Sequence, residues 1–365
     1  MLNYTANFAE FLIAPTWECN LRCSYCFVRK QKLVTKSTMM SKEIAQQIVD
    51  KIDTELQVFE KIRLHFYGGE PLLNFKAIET IVTRAYEKSS ERYYFAITTN
   101  GTFLNKSIIN ILNKGNFLII LSIDGPKQIH DACRKTVTGK PTHAKIIRFL
   151  ETIRRETNCI VRGSAVVHSE WSLSQAVTYL RSLDIDKIKS QIVRAPEGEP
   201  YSLSKMEKIT YKNDLEKIGD QVIKDLEKGN IPMDDRFSSR VLQLLVGNSR
   251  EYFCGAGLST FGITPDGTIL PCILLNKNSK IGHINDSTKK WLKNGKTWKS
   301  KLKRSQKCNN CNSLSLCGGG CPVFESICSD TECEFIKKNC DIAKRIFSHF
   351  ATKKEDLLTL AGIAL

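Results

Sequence analysis

The sequence predicts an α/β fold: a partial (β/α)6 barrel of TIM type followed by a small cysteine-rich module. From residue 8 to about 195, short β-branched or aromatic apolar runs alternate with segments of helical period, the pattern of repeated βα units around a parallel sheet. Six units fit this stretch, whereas a closed eight-unit barrel takes about 250 residues, so one side is expected to stay open. From Cys254 to Cys340 the chain holds nine of its 14 cysteines, a density suited to a module held by metal rather than by an apolar core.

Taken in order, the expected strands are Phe8 to Ala14, Arg63 to Tyr67, Tyr93 to Thr98, Phe117 to Ile123, Ile160 to Val167 and Lys187 to Val193. A helix is expected over Ser41 to Leu56, where Ser41 is a cap and Ile44, Ile48, Val49 and Ile52 share a face; another covers Lys76 to Lys88. The expected barrel domain is 1–195. A charged helical connector, 196–253, contains the helix Ser204 to Lys228 and no cysteine. The auxiliary module, 254–342, opens with a hairpin, Phe261 to Thr264 and Thr268 to Leu270, turning on Asp266-Gly267. A helix and tail close the chain over 343–365.

Composition limits the function. With 365 residues and 42% hydrophobic content, the chain has ample material for a packed core, which excludes a disordered protein. Lys and Arg total 54 against 38 Asp and Glu, a formal charge of +16 that attracts an acidic partner. No apolar run approaches the roughly 18 residues of a membrane helix, and the amino-terminal stretch lacks secretory features. A cytoplasmic location is therefore expected. A reducing interior disfavours disulfides, so the cysteines point to metal or redox chemistry.

Cys19, Cys23 and Cys26 directly follow the first strand, where a parallel barrel carries its active-site loops. Three thiolates in eight residues can hold three irons of a cubic cluster and leave the fourth without a protein ligand, an open position of the kind catalysis needs. By spacing alone, a zinc knuckle or a redox dithiol also fits. Further loops follow at successive strand ends: Tyr67-Gly68-Gly69-Glu70-Pro71, Thr98-Thr99-Asn100-Gly101, and Ser122-Ile123-Asp124-Gly125-Pro126 with Arg134 beyond. Glycines there let the backbone approach a ligand, and Glu70 can pair with an ammonium. Cys133 and Cys159 fit no spacing and read as small core residues.

The Cys-x3-Cys-x2-Cys triplet with Tyr25 inside it, and the loops in this order, resemble the radical S-adenosylmethionine superfamily. That resemblance implies a SAM-binding 4Fe-4S cluster on Cys19, Cys23 and Cys26. It also implies that Gly68, Gly69 and Glu70 hold the methionine amino end of S-adenosylmethionine, and that Ser122 and Arg134 hold its ribose and carboxylate. Asn100 is a further cofactor contact by the same resemblance.

The carboxy-terminal pattern is Cys254-x12-Gly267-x4-Cys272, then Cys308-x2-Cys311-x5-Cys317-x3-Cys321, then Cys340. A zinc ribbon would explain the central four alone. The whole resembles the SPASM extension of peptide- and protein-modifying radical enzymes. By that resemblance two auxiliary 4Fe-4S clusters are implied, an outer one on Cys308, Cys311, Cys317 and Cys340 and an inner one on Cys254, Cys272 and Cys321. Ligands close in sequence can serve different clusters. Sulfatase-activating relatives carry another cysteine soon after the first and an aspartate after the hairpin cysteine; here residues 255–271 hold no cysteine and Ile273 follows Cys272, which ranks sulfatase activation below crosslinking among the expected activities. The last spacing is one residue longer than the family pattern, and Cys328 or Cys333 inside it could complete the inner cluster.

Lys277 to Lys307 contains eleven Lys or Arg against one acidic residue, Asp286, with Trp291 and Trp298 interleaved. A solvated helix face, single-stranded nucleic acid and an acidic peptide all suit such a stretch. The SPASM resemblance favours the peptide, and no RNA-binding fold is visible. Only 18 residues precede Cys19, too few for a leader-recognition domain, so a separate leader-peptide-recognition protein is an expected partner. A flavodoxin or ferredoxin is the expected electron donor. The expected activity is a peptide maturase installing a thioether or carbon-carbon crosslink in a ribosomally made peptide. The alternatives are oxidation of a Ser or Cys side chain in a protein and a non-catalytic iron-sulfur electron carrier.

Overall fold

The computed structural model describes residues 7–30, 39–195, 198–323, 325–352 and 357. Its strands in chain order are β1 (Phe8–Ile13), β2 (Lys61–Phe66), β3 (Tyr93–Thr99), β4 (Leu118–Ser122), β5 (Ile160–Ser164), β6 (Val166–Val167), β7 (Lys187–Ile188) and β8 (Gln191–Ile192). Later come β9 (Thr260–Ile263), β10 (Thr268–Leu270) and β11 (Gly282–His283). The chain forms two compact units, one of Leu2–Arg162 with Gly255–Leu302, the other of Gly163–Cys254 with Lys303–Leu365.

In the first unit the strands run in the order β11-β10-β9-β1-β2-β3-β4. β1 pairs in parallel with β2, β2 with β3, and β3 with β4, as repeated βα units require. Residues alternate between faces. Phe11, Ile13, Ile62, Leu64, Phe66, Phe95 and Ile119 lie on the buried face. The register puts Glu10, Leu12, Arg63, His65, Ala96, Thr98, Ile120 and Ser122 together on the other. The helix Lys42–Glu55 starts where Ser41 accepts a hydrogen bond from the Ile44 amide, and buries Ala45, Ile48, Val49 and Ile52. The helix Phe75–Lys88 buries Ala77, Ile78, Ile81, Val82 and Ala85.

The expected hairpin forms, with Gly267 at φ +79° in its turn. Its place differs from a separate cysteine module, because β9 pairs in parallel with β1, Phe11 opposite Phe261, and extends the sheet. Phe261 is wholly buried and stacks on Phe11 with ring centroids 5.4 Å apart, so apolar burial draws the hairpin there.

In the second unit the expected strand Ile160 to Val167 ends as β5 and resumes as β6, and Lys187 to Val193 likewise divides into β7 and β8. The helix Lys205–Glu227 opens with a complete capping box between Ser204 and Glu207. The helix Glu325–His349 packs Ile336 and Cys340 into an apolar cluster with Leu316 and Cys317. The tail expected after it, and the Cys328 side chain, lie outside the described residues. No described helix is long and apolar enough to cross a membrane.

Candidate functional site

The three amino-terminal cysteines occupy the loop that leaves β1. Thr16 is wholly buried and its hydroxyl accepts a hydrogen bond from the Glu18 amide, fixing the exit of the strand. The Leu21 amide and the Asn100 side chain point at Cys19 Sγ, at 3.4 and 3.9 Å. Cys19 is acted on electrostatically by Cys23 and Cys26. Burial pushes the Cys19 thiol up to about 11, and burial raises Cys23 as well. A bound metal reverses that preference by stabilising the thiolate.

Among the described residues no three His, Cys, Asp or Glu side chains converge on a single metal ion. A cubic cluster does not ask for convergence, because each thiolate takes its own iron. Three half-buried thiols within mutual electrostatic reach in one loop suit that group.

The Gly68-Gly69 pair lets the end of β2 approach the cysteine loop closely. A Cβ on Gly69 would stand 2.1 Å from the Glu18 carbonyl oxygen, and one on Gly68, at φ +134°, would stand 2.8 Å from that of Thr16. The Gly69 and Glu70 amides donate to the Thr16 and Glu18 carbonyls, at 3.0 and 2.8 Å. The glycines therefore let the strand end bind the cysteine loop backbone to backbone.

Glu70 is 1% exposed and its carboxylate accepts three hydrogen bonds: Leu72 N at 3.1 Å, Thr99 Oγ1 at 2.8 Å and Asn100 N at 2.8 Å. Burial raises its pKa to about 7 against these donors. Asn100 is buried and gives its side-chain amide to Asn20 Oδ1 at 2.9 Å, joining the β3 end to the cysteine loop. Ser122 ends β4, half-buried.

Arg134 is buried and makes a two-pronged ion pair with Asp124. Burial opposes its charge, and Asp124 more than compensates, holding it well above the usual range. The Tyr25 hydroxyl donates to the same carboxylate, and the guanidinium lies 5.4 Å from the Tyr25 ring centre. Cys23 feels the Arg134 charge. The segment after Cys133 runs against the cysteine loop, Arg22 N to Lys135 O at 2.8 Å and Ser24 N to Cys133 O at 3.1 Å. Cys133 is thus half-buried beside the triplet, and half-buried Cys159 donates to the Leu112 carbonyl; neither is a core residue.

Tyr25 and Asp124 join the site through contacts that no sequence spacing marks. A second missed group lines the sheet face shared with Ser122. His65 Nε2 lies 2.9 Å from Thr98 Oγ1, and its Nδ1 lies 3.6 Å from Glu10, which also faces Arg63 at 3.5 Å. Burial raises the Glu10 pKa, but His65 and Arg63 outweigh it and bring it to about 2. The available signal was charge at alternate positions of β2, Lys61, Arg63 and His65, on an otherwise apolar strand.

The carboxy-terminal cysteines fall in both units. Cys272 follows β10 in the first, where Ile273 is buried with Ala14, Trp17 and Val28. In the second, Cys321 is acted on by Cys254, and Cys340 by Cys317. Burial raises the Cys333 thiol pKa, and the Cys308, Cys311 and Cys317 thiols add to that electrostatically. In the basic stretch, Trp291 is 1% exposed and donates to the His283 carbonyl at 3.0 Å, so it is a core residue and no platform for a base.

The first strand of the parallel sheet delivers a cysteine triplet, with a cysteine-rich segment downstream, a donor set suited to iron-sulfur clusters. A Radical SAM superfamily model matches residues 13–183 and a SPASM iron-sulfur cluster-binding domain model matches residues 254–312. The chain belongs to the radical SAM superfamily, in the branch that carries a SPASM domain. It is 29% identical over 343 residues to the cysteine-type anaerobic sulfatase-maturating enzyme of Clostridium novyi (strain NT), covering 86% of this chain and 87% of that protein. The structure of native anSMEcpe with bound AdoMet and Kp18Cys peptide is similar with a TM-score of 0.79 and 22% identity, over 94% of this chain and 99% of that one. Streptococcus suis SuiB bound to its precursor peptide SuiA is similar with a TM-score of 0.61 and 19% identity, over 87% and 72%.

Proposed function

We propose that this enzyme oxidises a cysteine side chain of a peptide or protein substrate. The observation that carries this reading is the near full-length similarity to a cysteine-type sulfatase-maturating enzyme. When bound, S-adenosylmethionine and a reduced cluster supply a 5′-deoxyadenosyl radical that removes a substrate hydrogen atom. Cys19, Cys23 and Cys26 would hold that cluster, with two auxiliary clusters on the carboxy-terminal cysteines. Gly68, Gly69, Asn100 and Ser122 border the S-adenosylmethionine site. Glu70 and Arg134 act there by fixing the loops, since the carboxylate accepts three protein donors and the guanidinium is forked onto Asp124. On the sheet face, His65 lies between Glu10 and the Thr98 hydroxyl.

A second reading is a crosslink, thioether or carbon-carbon, in a ribosomally made peptide. Ile273 favours it, since this residue after the hairpin cysteine is buried in an apolar cluster and offers no carboxylate. A cysteine peptide deuterated at Cβ tests both. Deuterium in 5′-deoxyadenosine with a hydrazide-reactive carbonyl on the peptide supports side-chain oxidation. Deuterium retained in the peptide together with a bridge that resists backbone fragmentation supports the crosslink, whose hydrogen leaves from the acceptor carbon. An unchanged peptide with all its deuterium contradicts both.

A further inference from the structure

The cysteine loop is one strand of a two-stranded ribbon. The Val137 amide donates to the Asn20 carbonyl at 3.1 Å, the Arg22 amide to Lys135 at 2.8 Å and the Ser24 amide to Cys133 at 3.1 Å, and Leu21 bridges Thr136 in antiparallel sense. Residues 20–24 therefore run opposite 137–133, and successive side chains turn to opposite faces. Burial follows that alternation: Leu21 and Arg134 are buried, whereas Arg22, Ser24, Lys135 and Val137 are exposed. Cys23 stands opposite Arg134 on the inner face, where Arg134 meets Asp124. One layer of backbone thus separates Cys23 from the outer face.

That outer face is basic, with an apolar end. Segments 19–24 and 133–140 hold four Lys or Arg and no Asp or Glu. Arg134 is engaged by Asp124, but Arg22 and Lys135 stand directly opposite each other, a like-charge pair that weakens a two-stranded ladder. Lys140 is exposed in the turn beyond them. Among the described residues no carboxylate pairs with these three cations. Val137 is 53% exposed, and Asn20 Nδ2 donates to Thr102 Oγ1 at 2.8 Å, which brings the exposed Phe103 to the same end of the ribbon.

We infer that this outer face docks an acidic one-electron carrier, a flavodoxin or ferredoxin, that reduces the cluster of the triplet. The inference rests on the reading that Cys19, Cys23 and Cys26 hold a cluster. One electron leaves the reduced carrier and enters the cluster; no covalent bond forms or breaks. Carboxylates on the carrier would compensate Arg22, Lys135 and Lys140, while Val137 and Phe103 supply an apolar contact. A peptide substrate must instead reach the inner face, toward the strand ends that carry Asn100 and Ser122.

The test uses anaerobically reconstituted full-length protein and an acidic flavodoxin as probe. Two variants change the charge equally, Lys135→Glu/Lys140→Glu and, as control, Lys289→Glu/Lys293→Glu. Calorimetric titration with the flavodoxin should give a Kd at least about tenfold higher in the first variant and within about twofold of wild type in the control. With subsaturating reduced flavodoxin, 5′-deoxyadenosine formation in the first variant should fall about tenfold, and with dithionite, which needs no docking face, it should stay unchanged. In the wild-type complex a carbodiimide, which joins an amine to a carboxylate in contact with it, should link Lys135 or Lys140 to the flavodoxin, whatever the folding of the variants. Three results overturn the inference: no flavodoxin binding by the wild-type protein, equal weakening in both variants, or cross-links confined to other lysines. Loss of peptide binding with flavodoxin binding kept in Lys135→Glu/Lys140→Glu also overturns it and assigns the face to the substrate. If the wild-type protein makes no 5′-deoxyadenosine with dithionite, the reading of the triplet fails, while binding and cross-linking still decide the surface.

Discussion

Arg134 grips Asp124 with two hydrogen bonds, Nε to Oδ2 at 2.9 Å and Nη2 to Oδ1 at 3.1 Å, and the carboxylate is wholly buried. The Tyr25 hydroxyl shares that carboxylate, which ties the aromatic residue of the cysteine triplet to the end of β4. Asp124→Asn should destabilise the protein by roughly 3 kcal/mol, because it leaves a buried guanidinium without its counter-charge. Adding Arg134→Gln should recover part of that loss. Urea unfolding of the single and double variants checks the coupling, and additive losses would contradict it.

Glu70 gives a pH dependence of defined sign. Its folded pKa of about 7 lies above the ordinary value of 4.5, so the folded state binds the extra proton and loses stability as pH rises from about 4.5 to about 7. By linkage the loss in metal-free protein is roughly 3 kcal/mol, and Glu70→Gln should flatten it. Denaturant midpoints of both proteins at pH 5 and pH 8 decide this. The same variant should weaken S-adenosylmethionine binding without changing iron content, because Glu70 ties two site loops together and is no cluster ligand.

Glu10 works in the opposite direction. Its pKa is held down at about 2, so its contribution is present above about 4.5 and fades as pH falls through 2. The side chain is a quarter exposed, and the contribution is accordingly on the order of 1 kcal/mol. Glu10→Gln should lower stability at pH 7 and leave it nearly unchanged near pH 2; an equal loss at both would contradict the charge argument.

Lys289, Lys293 and Lys296 are exposed along the helix Thr288–Ser300, with Lys301 just beyond it. An acidic peptide that binds there should dissociate as salt rises, since exposed charges are screened over about 8 Å at physiological ionic strength. Reversing these four charges should weaken peptide binding at least about tenfold and leave peptide-free S-adenosylmethionine cleavage unchanged. Tighter binding of RNA than of any acidic peptide at equal salt would reject this partner class.

The strands were legible where burial imposed a local pattern. β1 to β4 and the helix capped by Ser41 fall within a few residues of the segments expected from periodicity and capping. What local pattern does not encode is long-range partner choice. The Asp-Gly turn was readable, but the pairing of Thr260 with Glu10 joins distant segments and depends on burying Phe261 against Phe11. Glu70 and Arg134 were recognisable as site residues from their loops. Their partners, Thr99, Asn100 and Asp124, emerge only when strand ends come together. His65 carries no spacing that marks it, and its neighbours Glu10 and Thr98 come together only through strand register.

The most direct measurement is 5′-deoxyadenosine formation by anaerobically reconstituted protein given S-adenosylmethionine and dithionite. The wild-type enzyme should produce it over many hours, and Cys19→Ala/Cys23→Ala/Cys26→Ala should produce none while losing about four irons, the content of one cubic cluster. Equal 5′-deoxyadenosine yields from the two proteins, or a wild-type protein that carries zinc and makes none, would contradict the assignment of the amino-terminal triplet.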